Sequence, residues 1–175
     1  MAEGRHAIVR LGRVTRVATP KAQLDGFIAR YSPDVAKLGR AAIARMRKFL
    51  PAAHVLVYDN YNALAVGFAP GERSSAAVFS IVLYPRWVSL FLLRGAGLPD
   101  PHQRLSGSGN VVRHVVLTEL AVLDDPQILE LMQQALTRSG ASLQTGKRGP
   151  IVIKSISARQ RPRRTPTKTK ARSRS

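Results

Sequence analysis

The chain has 175 residues, 45% of them hydrophobic, which fits one globular domain with tails and not a disordered chain. It has no cysteine, which excludes disulfides, thiolate metal sites and cysteine nucleophiles together. The formal net charge is +18, and its placement is uneven. Residues 157–175 carry eight Lys or Arg and no acid, residues 1–21 carry five against Glu3, and residues 22–146 carry twelve against nine acids. The middle of the chain is therefore nearly balanced, whereas a surface built to hold a duplex would put more charge on the fold itself.

In chain order, Thr19-Pro20 opens a first helix with Leu24, Phe27, Ile28 and Tyr31 at helical spacing. Ser32-Pro33-Asp34 sets Ser at the N-cap, Pro at the first helical position and an acid in the first turn. That second helix runs to about Phe49, before Pro51, and buries Val35, Leu38, Ala42, Met46 and Phe49. Strands are expected at His54–Tyr58, Ala63–Ala69, Ala77–Tyr84, Trp87–Leu93 and Val111–Thr118. Short links such as Pro70-Gly71 and Pro85-Arg86 favour an antiparallel meander. Asp124-Asp125-Pro126 caps a last helix from Gln127 to about Arg138. Residues 141–156 read as a linker with an edge strand at Ile151–Ile156, and residues 1–18 as a basic extension.

The expected fold is thus α+β: an antiparallel sheet of about five strands with helices packed on one face, spanning residues 19–140. Residues 157–175 consist of Arg, Lys, Ser, Thr, Pro and one Gln, with no apolar content beyond two Ala, and are expected to be a disordered basic tail. The apolar-rich stretch Ala76–Leu93 is broken at Tyr84, Pro85, Arg86 and Trp87, so it reads as two strands and not as a membrane span. The first residues lack a continuous apolar run, and a cytoplasmic location is the default.

Two loops concentrate chemistry beyond structural need. "VYDNYNAL" sets Tyr58, Asp59, Asn60 and Tyr61 between two strands, where aromatic faces and amides suit a planar or polar ligand. "RLSGSGNVVRH" offers Gly107 and Gly109, Ser108 and Arg113 for an anion nest. Its glycines precede a strand and not a helix, so neither the P-loop nor the dinucleotide fingerprint applies, and a turn into a strand is the preferred alternative. His114 shares a strand face with Val112 and Val116 and reads as a structural residue. "YPRWVSLFLLRG" could give a cationic rim from Arg86 and Arg94, but a surface Arg–Trp pair is the simpler account. His6, His54, His102 and His114 are scattered, with no ligand spacing, so no metal or cofactor is expected.

The order of these elements, with the blocks "VYDNYNALAVGFAPGERSSAAVFSIVLYPRWVSLFLLRGA", "LSGSGNVVRHVVL" and "IVIKSISARQRPRR", resembles the YdhG-like family of small bacterial proteins, a domain of unknown function. The resemblance covers roughly residues 20–140 and implies a frataxin-like fold, an antiparallel sheet covered by helices on one side. It also implies iron delivery in one branch, which this chain is not expected to share. The corresponding helix has Asp34 alone beside Lys37, Arg40, Arg45, Arg47 and Lys48, and hard cations need oxygen ligands.

Three functions stay open. The first is a non-catalytic module for a small polar or anionic ligand, with Tyr58, Asp59, Asn60, Tyr61, Ser108 and Arg113 converging on one concavity. The second is a nucleic-acid or polyanion partner working through Arg159, Arg161, Arg163, Arg164, Lys168 and Lys170. In that case removing residues 157–175 should abolish binding and leave the melting temperature nearly unchanged. The third and least favoured is an enzyme using Asp59 as base and Arg113 as anion clamp.

Overall fold

The computed structural model describes residues 17–164. Thr19 caps the first helix, α1 (Pro20–Ala29), its Oγ1 accepting from the Ala22 N–H at 3.2 Å. The second helix, α2 (Pro33–Phe49), begins at Ser32 without a side-chain cap; Pro33 removes one N–H that would need a partner. Strands β1 (His54–Asp59), β2 (Leu64–Ala69), β3 (Phe79–Leu83), β4 (Val88–Leu92) and β5 (Arg113–Leu117) follow. The Asp125 carboxylate accepts from the Gln127 N–H at 2.9 Å and opens α3 (Pro126–Ser139), which Gly140 ends at φ 66°. Strand β6 (Ile151–Ile156) closes the sheet.

Strand order is β5-β4-β3-β2-β1-β6. Strands β1 to β5 form the expected antiparallel meander. The sheet is nevertheless six-stranded and mixed, because β6 lies parallel to β1. The reason is the return path. β5 and β1 run the same way, and α3 carries the chain back before β6 starts beside β1, as a crossover requires. The stretch expected to be a linker is itself tied to β1's approach: the Ala52 N–H donates to Leu143, Gly149 to Pro51, and Val55 to Pro150. Gly149 lies so near the Ala53 carbonyl that a Cβ would sit 2.0 Å from its oxygen.

Strand alternation divides the sheet into two faces. Val55, Val57, Val66, Phe68, Phe79, Ile81, Leu90, Leu92, Val115 and Leu117 point inward and share one core with Leu24, Ile28, Val35, Met46, Leu131 and Met132 of the helices. Leu38 and Phe49, expected in the core, pack against it half-buried. Among the described residues no α-helix packs on the opposite face, where the short 3-10 turn Ser74–Ala76 lies. Leu56 and Ala69 there are covered by Ala77, and Tyr58, Leu93 and Val152 pack beside them. His114 lies on this outer face and stacks on Phe91, ring centroids 5.2 Å apart.

Candidate functional site

The register places the two singled-out loops far apart. Asp59 pairs across β2 and β3 with the end of the sheet marked by Leu64, Leu83, Val88 and Leu117. Arg113 pairs with Leu92, and through Phe79 and Phe68 with Val55, at the other end. Tyr58, Asp59, Asn60 and Tyr61 therefore do not meet Ser108 and Arg113 in one concavity, and that expected pocket does not form. The glycine loop is a reversal onto β5: Ser106 and His114 exchange backbone hydrogen bonds at 2.8 and 3.0 Å. Gly107 takes φ 113°, and the Arg113 guanidinium donates to the Gly109 and Val112 carbonyls, not outward.

Asp59 is 0% exposed. It continues the inward row of Val55 and Val57, so its carboxylate points at the core. Arg163 donates to one oxygen at 2.9 Å; Arg30 and Gln160 donate to the other. Arg163 itself is 5% exposed, lies over the Tyr31 ring at 5.5 Å, and also donates to the Asn60 and Tyr61 carbonyls. The Tyr31 hydroxyl accepts from the Leu64 N–H at 2.9 Å, and burial pushes its pKa up to about 12. Fully buried and with both oxygens engaged, Asp59 is a latch for the C-terminal segment and is not open to a ligand. Tyr58 is tied to Ser74 through its hydroxyl on the outer face.

Residues 157–164 are thus part of the fold, contrary to the expectation of a disordered tail from residue 157. Ser157 N–H donates to the Asp59 carbonyl and Arg161 N–H to that of Tyr61, both at 2.9 Å. Arg164 donates from Nε and Nη2 to the carbonyls of Ala29, Arg30 and Tyr31, closing the C-terminus of α1. Of the six tail residues singled out for phosphate binding, Arg163 is buried and Arg164 holds a helix end. Arg159 and Arg161 are exposed. Lys168 and Lys170 lie outside the described residues.

What this docking builds is a groove of about 530 Å³ between two chain segments. One wall is the β3–β4 turn: the Tyr84 N–H donates to the Trp87 carbonyl at 2.9 Å, and their rings stack with centroids 4.9 Å apart. Arg86 lies 5.8 Å from the Trp87 ring centre. The other wall is Arg161, Pro162 and Arg164, with Asn62 also lining the groove. Three guanidinium groups and two stacked aromatic rings line it, and among the described residues no carboxylate does. Tyr84 and Asn62 also line a second trough of about 460 Å³ on the outer sheet face. On the far side of Trp87, an open cleft of about 630 Å³ lies between α2 and the ends of β4 and β5, walled by apolar side chains and rimmed by charges of both signs.

The sequence indicated Arg86–Trp87 as a surface pair, and the pair is present; its juxtaposition with Arg161 and Arg164 was hidden. Arg30 and Gln160 were also missed as partners of Asp59. The signal that could have exposed the latch is the alternation Val55, Val57, Asp59, which aims a lone carboxylate inward and so demands a cation. Among the described residues no three His, Asp or Glu side chains lie close enough to hold a metal ion, and no helix is long and apolar enough to cross a membrane. No protein-family model, curated protein or solved structure matches the chain.

Proposed function

We propose that this protein is a non-catalytic module that binds nucleic acid in the groove between the Tyr84–Trp87 turn and the Arg161–Arg164 segment. One observation carries this reading. The exposed Arg86 and Arg161 share a groove with a stacked aromatic pair and with Arg164, whose Nε and Nη2 are spent on helix carbonyls, and among the described residues no carboxylate lines it, on a domain whose middle is otherwise nearly balanced in charge. Guanidinium groups pair with phosphate oxygens, and flat aromatic faces accept bases. The eleven residues after Arg164 add Lys168, Lys170, Arg172 and Arg174 with no acid, and they follow directly on a residue of the groove's wall. Membership of the YdhG-like family is part of the same proposal, since two of the blocks that carry the resemblance supply the groove's two walls. A small anionic ligand is the weaker alternative, because the two loops assigned to it lie at opposite ends of the sheet.

Trp87 is the chain's one tryptophan, so its fluorescence reports on the groove and on the α2 cleft beside it. Binding of a labelled oligonucleotide to the full chain should quench it and should weaken with salt. Arg86→Glu combined with Arg161→Glu should lower affinity at least about tenfold. On a single strand it should also shrink the salt slope by about 0.7 for each phosphate no longer neutralised. Neither residue makes an ion pair among the described residues, so the fold should tolerate the change. Unaltered affinity and slope in that double variant would remove the groove as the binding surface.

A further inference from the structure

Beyond Tyr84 the groove adjoins the trough on the outer sheet face, since Asn62 and Tyr84 line both. The trough differs from the groove in one respect: among the described residues it has no charged lining residue. Its floor is Ala65, Ser80 and Val82, small side chains on a sheet face that no α-helix of the described residues covers, and Tyr61 and Phe91 stand at its sides. Tyr61 is 52% exposed and Trp87 39% exposed, so both rings are open to solvent.

From this partition we infer that the nucleic acid is single-stranded, its backbone held at the arginine groove and its bases passing over the Tyr84–Trp87 pair into the neutral trough. The inference rests on the nucleic-acid reading and adds the class of strand. A duplex offers phosphates on both sides and keeps its base faces stacked within the helix, so it would leave the aromatic surfaces unused and set its second backbone over a trough without cations. An unpaired strand presents both things this surface is divided to receive: charge at one end, flat apolar rings along the other. Alternation explains why the rings line up. Tyr84 and Trp87 fall at the same parity as Val82 and Ser89 of the outer face, so the turn lays both rings on that side of the sheet.

The test uses the full chain and three labelled probes of one length: a mixed-sequence 12-mer single strand, the same strand in a duplex, and an abasic 12-mer with the same phosphates. The single strand should bind about tenfold tighter than the abasic probe and tighter than the duplex. Tyr61→Ala, at an exposed position, and Trp87→Ala should each bring the ratio of single-strand to abasic affinity toward one. Equal binding of all three probes, still weakened by Arg86→Glu with Arg161→Glu, would overturn the single-strand inference and leave the nucleic-acid reading standing. Binding of every probe that ignores the arginine changes would overturn both.

Discussion

Replacing Asp59 by alanine should lower folding stability by about 3–5 kcal/mol, the usual cost of stranding one member of a buried ion pair. Arg163 would keep its place against Tyr31 with its principal counter-charge gone, its side chain 3% exposed and Asp59's 0% exposed. Arg163→Ala should cost a similar amount, because Arg30, at 39% side-chain exposure, is screened by water and compensates Asp59 only in part. The combination Asp59→Leu with Arg163→Met should recover much of the loss, since an apolar pair of similar volume avoids desolvating two charges. Urea denaturation of the four proteins measures this. Single variants within about 1 kcal/mol of the parent, or a double variant as unstable as the sum of the singles, would mean the latch is not what holds the segment. Truncation gives an independent measure. Removing residues 158–175 takes away Gln160, Arg163 and Arg164 and should lower the melting temperature along with nucleic-acid affinity, whereas removing 165–175 should spare the latch. This reverses the expectation that the whole of 157–175 contributes no packing.

Above pH 10 the protein should lose stability through Tyr31. Its folded pKa is raised from 10.0 to about 12, first by burial and then by the Asp59 charge, against the opposing influence of Arg163, the Leu64 N–H and Arg30. A folded pKa above the unfolded one means that the protonated phenol favours folding. That contribution is whole below pH 10 and is lost as pH climbs through 12, at about 1.4 kcal/mol per pH unit in between. The total is about 3 kcal/mol. Tyr31→Phe should be somewhat less stable at neutral pH, because the Leu64 N–H loses its acceptor, and should be missing this alkaline slope. A variant as steep as the parent between pH 10 and 12 would assign the slope to other groups.

Local signals carried most of the architecture. Thr19-Pro20 and Asp125-Pro126 are helix starts whose reason lies within three residues, and the turn pairs between β1 and β5 are equally local. The direction of β6 is not local. Ile151–Ile156 would read the same whichever way it paired, and only the preceding crossover sets it parallel. The latch is hidden for a sharper reason. Arg163 stands among arginines and lysines of identical chemistry, and its partner lies 104 residues earlier. Composition made the segment look unable to order itself, and by composition alone it is; one buried carboxylate changes the outcome for residues 157–164. The groove shares that origin, since Arg86–Trp87 and Arg161–Arg164 are neighbours because Asp59, with the Tyr61 and α1 carbonyls, holds the later segment in place.

The latch also imposes an order on biosynthesis. Strands β1 to β5 are complete once residue 117 has been made, and each pairs with its neighbour in sequence. Asp59 and the free edge of β1 wait for β6 and Arg163, at the C-terminal end of the described fold. During that interval the nascent domain holds an acid without its buried counter-charge at its inner face and an open strand edge, the features that invite partial unfolding and mispairing in unfinished chains. Closure between segments so distant in sequence is also the slowest kind to form. The same basic segment that walls the groove is thus a late step of maturation, so the binding surface and the finished fold come into being together.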